Sequence, residues 1–201
     1  IRPKLYEFAH AYDEHDVVLH LHGKRSVHAG ELDAWLAEIL DSLLTSPGSV
    51  RRILEMFATM PRLGLVVPRP FEWVLPSYTW GPNRFMAEVL AWHASVLPLP
   101  DDDDLCFPAG SMFWGRTEVL RPLVDLALTP DDFPPEAGQV DGTLAHTLER
   151  LVGVSCLNQG LDYLAFDGRE PFDNGDTWLT FDDTPELADF LARHREPTRE
   201  A

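Results

Sequence analysis

The sequence has little cysteine and no long apolar run. Only two of its 201 residues are cysteine, and Cys106 and Cys156 are far apart, in no metal-ligand or redox spacing. A chain of this length can bury a core without disulfide bonds, so we expect two reduced thiols and a cytoplasmic location. No apolar run approaches the ~18 residues of a membrane span, and the first four residues contain no signal-peptide core.

Basic residues are also scarce. Lysine and arginine number 16 against 33 aspartates and glutamates, which gives a formal net charge of −17. This charge argues against nucleic acid and against an anionic membrane as partners of the whole surface. Against this background the adjacent Lys24 and Arg25 form a local basic cluster. We interpret it either as a site for an anion such as a diphosphate or as a solvated basic turn.

Several common catalytic motifs are absent. The sequence has no Walker-type glycine-rich loop, no Gly-x-Ser-x-Gly elbow and no His-Glu-x-x-His. Their absence excludes the commonest nucleotide hydrolases, esterases and zinc proteases. Four aspartates at residues 101–104 could suggest a divalent-cation site, but consecutive carboxylates cannot all converge on one ion. A solvated acidic loop is the better interpretation, and no metal ligands are assigned.

What the chain does contain is an alternation of strand and helix patterns. A β-rich run at residues 17–22 and an apolar run at residues 63–67 predict two strands, the second of them buried, and residues 32–43 carry a helical apolar stripe between them. This alternation predicts an α/β layered fold. The other predicted strands lie near residues 106–114, 161–166 and 177–181, and the other predicted helices lie at residues 5–12 and after Ser49, Asn83, Arg116, Gly142 and Thr184.

A polar turn follows the first predicted strand. His20 and His22 alternate along the strand and therefore point to the same face. Lys24, Arg25 and Ser26 come next, and they offer a point charge, a bidentate fork and a hydroxyl to phosphate oxygens. Open α/β sheets bind ligands at the carboxyl ends of strands, which favours an anion site here. Two histidines alone are a weak zinc signal, so a metal-dependent hydrolase is a minor alternative.

The segment around residue 113 combines small, aromatic and charged residues. Ser111, Trp114 and Arg116 lie where an aromatic face adjoins a polar turn. Such a face suits the apolar side of a sugar ring. The alternative is a buried strand with core aromatics.

Two carboxylates precede the helix predicted after Gly142. Glu136 and Asp141 lie in that loop, and His146 lies on the helix. A carboxylate at a helix start is often only a cap, but it can also be a general base that deprotonates an acceptor hydroxyl.

Taken in order, these segments resemble the rhamnan synthesis F family of bacterial glycosyltransferase-like proteins. The resemblance covers roughly residues 5–153. Its most specific segments read VLHLHGKRS at 18–26, FPAGSMFWGR at 107–116 and VDGTLAHTLER at 140–150, and the Trp35 helix and the strand at 63–68 fall in the same order.

The resemblance implies a GT-A-like layered fold with a mixed, mostly parallel sheet flanked by helices. Residues 1–155 would form this glycosyltransferase-like domain, and residues 156–201 would be a C-terminal appendage that packs on it. Only about one predicted helix precedes the first motif strand. Part of the N-terminal nucleotide-binding half is therefore expected to lie outside this chain.

The resemblance further implies a hexosyl transfer enzyme of the inverting type. It would move a deoxysugar, rhamnose, from dTDP-L-rhamnose to a growing cell-surface polysaccharide or a lipid-linked glycan. The location would be the inner face of the membrane, in peripheral association with a polysaccharide synthesis complex. The competing hypothesis is a non-catalytic glycan-binding or complex-forming remnant of this fold.

The roles that the resemblance implies fall into three groups. The turn after the first strand would bind the donor diphosphate where related enzymes carry a metal-binding Asp-x-Asp, so a divalent metal stays open as a cofactor. The base would be Asp141, with Glu136 as the alternate. Donor binding is expected of His20, His22, Lys24, Arg25 and Ser26, and sugar or acceptor binding of Ser111, Trp114, Arg116 and His146.

Overall fold

The computed structural model describes residues 6, 9–22, 31–135, 139–166, 171–174 and 178–180, which form one sheet with helices on both faces. The described strands are β1 (Val17–His20), β2 (Leu63–Pro68), β3 (Phe113–Arg116), β4 (Asp162–Phe166), β5 (Pro171–Asn174) and β6 (Trp178–Thr180). The described helices are α1 (Ala11–Glu14), α2 (Glu31–Leu44), α3 (Pro47–Thr59), α4 (Arg84–Ala94), α5 (Thr117–Val124) and α6 (Leu144–Asn158).

The six strands form a mixed sheet in the order β1-β3-β2-β4-β5-β6. Strand β3 lies between β1 and β2 and runs antiparallel to both, whereas β2 and β4 pair in parallel. Strands β5 and β6 continue the sheet with antiparallel pairing. The predicted mixed α/β fold is confirmed, with more antiparallel pairing than expected. Apolar periodicity shows that a segment is a strand but carries no information on its direction.

The sheet separates two apolar cores. Phe113 and Leu65 point into the core covered by α4, α5 and α6, while Trp114 and Val66 point into the core covered by α2 and α3. Neighbouring residues enter opposite cores because side chains alternate along a strand. All six residues of β2 are buried, as expected of a strand covered on both faces.

Helix α3 begins earlier than the sequence pattern predicts. Its N-cap is Ser46, whose hydroxyl accepts the N–H of Ser49 at 3.1 Å, and the Ser49 hydroxyl accepts the N–H of Ser46 at 2.9 Å. Pro47 fits the first turn because proline has no N–H and the N–H groups of the first turn have no acceptor within the helix. This reciprocal capping box makes Ser46, and not Ser49, the N-cap.

The remaining elements largely follow the predicted pattern. Helix α4 begins after Asn83, β4 and β6 match the predicted C-terminal strands, and β5 was not predicted. The helix predicted at residues 5–12 is represented among the described residues by α1. None of the described helices has the length and apolar character that a bilayer-crossing helix needs.

The expected domain boundary after residue 155 falls inside α6. Strand β4 follows this helix and pairs with the central strand β2. Residues 156–166 are therefore built into the same sheet and cores as the preceding residues. An appendage formed by the rest of the C-terminal part stays a prediction, and the helix predicted after Thr184 lies outside the described residues.

Helix α6 touches the chain segment that leads toward β3. A Cβ built on Gly153 would lie 1.8 Å from the carbonyl oxygen of Cys106 and 2.8 Å from its carbonyl carbon. Only glycine permits this approach of helix to backbone. Cys156, on the same helix, is buried, and burial raises the pKa of its thiol, as is typical of an unreactive structural cysteine.

Replacing Gly153 by alanine should lower the free energy of unfolding by about 3 kcal/mol, because backbone rather than a flexible side chain must move. Urea denaturation followed by circular dichroism measures the change. Gly48→Ala in α3 is the matched control, since its Cβ would lie 3.5 Å from the nearest atom, the Ser46 hydroxyl oxygen. Equal stability of the two variants would show that the α6 contact is not close.

Candidate functional site

Polar side chains from several segments meet at one edge of the sheet. Strands β1, β2 and β4 end at this edge and β3 begins there, because β3 runs opposite to its neighbours. Helix α6 also begins there, since it leads back through a short turn to the start of β4. We call this the carboxyl edge. It is where α/β sheets commonly bind ligands.

The turn that precedes β3 has an unusual backbone conformation. Gly110 has a φ of +87° and Ser111 a φ of +53°, both in the left-handed region. This conformation suits glycine but is uncommon for serine. The N–H of Ser111 donates to the carbonyl of Pro108 at 2.8 Å. The Gly110–Ser111 turn is therefore a tight, strained feature of the kind that clusters at functional sites.

Three side chains hold this turn. His20 donates from Nδ1 to the carbonyl of Ser111, and His22 donates from Nε2 to the carbonyl of Gly110, both at 2.6 Å. Glu149, on α6, accepts the N–H of Gly110 at 2.7 Å. A carbonyl oxygen only accepts, so each of these ring nitrogens carries a proton. The predicted common face of the two histidines is confirmed, and we call this arrangement the clamped turn.

The two imidazoles differ in exposure. His20 is buried and stacks on Phe113, with ring centroids 5.2 Å apart, whereas His22 is half-buried. The ring nitrogens that face the turn contact carbonyl oxygens. Within the part of the chain that the structure describes, no group of three or more His, Cys, Asp or Glu residues is placed to hold a metal ion. The observed role of the pair is to fix the turn.

Asp141 lies just before α6 in a network of donors. Its Oδ2 pairs with Nη2 of Arg150 at 3.1 Å, and its Oδ1 accepts from the Asn83 side chain and the Gly142 N–H, both at 2.8 Å. Arg150 and Asn83 are buried, whereas a third of the Asp141 side chain, 33 %, is exposed. The carboxylate is therefore fixed in orientation and still accessible.

Arg150 connects this network to the loop after β2. Its Nε donates to the carbonyl of Thr79 at 2.7 Å, and its Nη2 also lies 3.4 Å from the carbonyl of Ser77. Its guanidinium carbon lies 4.9 Å from the ring centroid of Phe107. Arg150 and Glu149 have no role among the predictions made from the sequence. The resemblance to the rhamnan synthesis F family could have indicated both residues, because they lie in its specific segment at residues 140–150.

Two tyrosines lie near Glu149, with Tyr163 buried and Tyr78 half-buried. Tyr78 stacks on Phe107 with ring centroids 4.5 Å apart, and burial together with the charge of Glu149 raises the pKa of its phenol. Burial likewise raises the pKa of Tyr163. The Tyr163 hydroxyl has no hydrogen-bond partner among the described residues. Both phenols remain protonated at neutral pH, so the interior beneath the site is uncharged at these positions.

Two predicted sugar-binding residues lie away from the carboxyl edge. Trp114 is 9 % exposed, and its indole N–H donates to the carbonyl of Leu43 at 3.2 Å. Arg116 donates to the carbonyls of Leu63 and Phe57 at 2.8 and 2.6 Å and so closes the end of α3. Strand alternation sends Trp114 into the core beneath α2 and α3, which leaves its ring no open face for a sugar.

Of the other predicted site residues, the structure describes two, and four lie outside the described residues. His146 is half-buried on the first turn of α6, where its Nδ1 lies 2.8 Å from the hydroxyl of Thr143 in a capping box. Ser111 is buried in the clamped turn. The positions outside the described residues, whose roles stay predictions, are Lys24, Arg25, Ser26 and Glu136.

The sequence profile of the family described as rhamnan synthesis protein F matches residues 3–161. The chain belongs to this family. The predicted resemblance is thereby confirmed, and membership of the rhamnan synthesis protein F family connects the chain with the synthesis of rhamnan and related polysaccharides.

The chain is also similar to two curated proteins. Both are named uncharacterized protein WxcX, from two strains of Xanthomonas campestris pv. campestris, and both are 40 % identical to this chain over 162 residues. The match covers 80 % of this chain but 23 % of each relative, so the chain spans about a quarter of their length. No solved structure matches the chain, and the GT-A likeness stays a prediction.

The clamped turn yields a stability prediction. Glu149→Ala removes the acceptor of the buried Gly110 N–H and should lower the free energy of unfolding by about 1–3 kcal/mol. Glu149→Gln keeps an oxygen acceptor of nearly the same shape and should cost clearly less. Urea denaturation of both variants measures the difference. Similar losses in the two variants would show that this hydrogen bond does not hold the turn.

Proposed function

We propose that this chain carries the glycosyl-transfer site of a polysaccharide-synthesising protein. The reaction moves rhamnose from dTDP-L-rhamnose to a hydroxyl of a growing cell-surface glycan or lipid-linked glycan. It takes place in the cytoplasm at the inner face of the membrane, in a peripheral synthesis complex. Family membership supports the polysaccharide product. The observation that carries the proposal is the fixed, accessible carboxylate of Asp141 at the carboxyl edge.

In the proposed reaction, Asp141 acts as the general base. An acceptor hydroxyl attacks the anomeric carbon of the donor from the side opposite the diphosphate, and Asp141 accepts its proton. The new glycosidic C–O bond forms as the bond to the diphosphate breaks, and that bond's electrons leave with the diphosphate. A single displacement of this kind inverts the anomeric configuration. Arg150 and Asn83 are positioning residues, because they hold the carboxylate through bonds of 3.1 and 2.8 Å.

We assign the leaving diphosphate to the turn after β1. His22 lies at the carboxyl edge, held against the clamped turn, and Lys24, Arg25 and Ser26 follow it in the sequence. In this proposal the cationic and hydroxyl groups of these three residues stabilise the negative charge that develops on the leaving group. Because the chain carries a net charge of −17, a basic cluster is also the region that would attract an anionic donor.

The clamped turn and the start of α6 complete the proposed site. Ser111 is buried, so we assign to it the shape of the turn, and His146, half-buried on α6, is the proposed contact with a sugar hydroxyl. Glu136 stays the alternate base. Trp114 and Arg116 are left out of the proposed site because their observed contacts belong to the core and to the end of α3.

A glycan-binding or complex-forming module without transfer activity is the second candidate. It is favoured by one observation, since both carboxylate oxygens of Asp141 already accept hydrogen bonds from protein donors. A carboxylate in such a network can serve structure alone. This candidate predicts saccharide binding that Lys24→Ala does not change, with no consumption of dTDP-L-rhamnose.

Asp141→Asn tests the proposed base. The amide keeps the size of the side chain but cannot accept the acceptor proton, so we expect kcat for rhamnose transfer to fall by roughly 10²–10⁴. The measurement is release of dTDP from dTDP-L-rhamnose with a rhamnose-containing oligosaccharide as acceptor.

Asp162→Asn is the matched control for this variant. Asp162 also forms an ion pair, with Arg62 at 2.8 Å, but it lies at the start of β4, away from the carboxyl edge. Its substitution should leave kcat unchanged. Thermal melting of both variants separates loss of chemistry from loss of fold. A folded Asp141→Asn protein with full activity would remove Asp141 from the mechanism.

A further inference from the structure

Helix α4 exposes large apolar side chains that the transfer site does not use. Phe85, Val89 and Trp92 lie at positions i, i+4 and i+7, hence on one face of the helix. They expose 78, 45 and 71 % of their surface. Ala87 and Ala91 face the core and are buried. Three exposed apolar side chains on one helix face, two of them aromatic, indicate a binding surface rather than ordinary scattered apolar residues. We call these three side chains the stripe.

This stripe extends between two polar regions. Asn83, the residue before α4, donates to Asp141 at 2.8 Å, which places the start of the helix beside the proposed transfer site. His93 and Ser95, at the other end, line a cleft of about 550 Å³. This volume lies in the range of small-ligand pockets, ~300–1,000 Å³. The helix has 11 residues and is therefore about 16 Å long.

The lining of the cleft suits hydroxyl groups. Glu118 and Asp125 are exposed carboxylates on its wall. Arg121 supplies N–H donors from the same helix, although its Nη2 also pairs with Asp13 at 2.8 Å. Neighbouring acceptors and donors of this kind can bind the vicinal hydroxyls of a sugar. The carboxylates outnumber the guanidinium, so the cleft would disfavour a phosphate.

We infer that the exposed face of α4 and this cleft form a track that binds the growing glycan as it leaves the transfer site. A sugar ring packs its apolar C–H face on an aromatic ring and turns its hydroxyls outward, which matches the stripe and then the cleft. A neutral glycan also fits the net charge of −17, which disfavours a second copy of the chain or an anionic membrane as the occupant. The inference rests on the proposed function, because transfer at the Asp141 end supplies the glycan.

The experiment measures binding of rhamnose oligosaccharides of increasing length by titration calorimetry. Phe85→Ala and Trp92→Ala should each weaken binding of the long oligosaccharides about two- to tenfold and leave rhamnose itself unaffected. Glu118→Gln should weaken only the longest, which reach the cleft. Leu54→Ala is the matched control, because this side chain is also apolar and 45 % exposed but lies on α3, on the other face of the sheet. These side chains are exposed, so melting temperatures should stay close to that of the wild type.

Three outcomes decide the inference. If Phe85→Ala and Trp92→Ala bind long oligosaccharides as tightly as the wild type, there is no track. If sedimentation shows self-association that both variants lose while their oligosaccharide binding is unchanged, the stripe joins two copies and the inference is again overturned. If the wild type transfers no rhamnose but binds oligosaccharides in a way that depends on Trp92, the proposed function fails and the track stands. Asp141→Asn should lower kcat for transfer by the factor given above and keep this binding.

Discussion

The hydrogen bonds around the Gly110–Ser111 turn connect the parts of the molecule on which the site depends. The turn joins β1, through two imidazoles, to α6, through Glu149, with distances of 2.6 to 2.7 Å. Its left-handed conformation costs roughly 1–3 kcal/mol for a non-glycine residue, which three hydrogen bonds to buried or half-buried partners can offset. Among the described strands, β1 lies at the edge of the sheet, next to β3. The clamped turn is therefore what ties the end of this edge strand to the start of α6.

A second network fixes the accessible carboxylate by the same principle. Arg150 is 3 % exposed, and a buried guanidinium is tolerated only when charge and hydrogen bonds compensate for its lost hydration. Asp141 supplies the charge, and the carbonyls of the loop after β2 supply acceptors. Asn83 links the same carboxylate to the start of α4. The orientation of the proposed base, of the loop and of α4 is therefore set by one connected set of bonds.

The two ends of α4 therefore lie in chemically different surroundings. The carboxyl edge gathers the imidazoles, the strained turn and Asp141, whereas the far end of α4 opens on a cleft with exposed carboxylates. An apolar, aromatic stripe lies between them. In the proposed function, the carboxyl edge holds the transfer chemistry, and the stripe and the cleft hold the glycan product. The curated relatives are about four times as long as the matched region.

The sequence by itself determined the alternation of strands and helices, the shared face of His20 and His22 and the family, because burial and strand geometry leave short, regular patterns. It did not determine what those histidines hold, since the carbonyls of Gly110 and Ser111 lie about ninety residues away and carry no side-chain signal. The sequence likewise did not show that Asp141 pairs with Arg150. Periodicity identified the apolar positions of α4 but not that Phe85 and Trp92 are exposed. Only the tertiary structure decided this, because exposure depends on which layers pack over a helix and not on the helix itself.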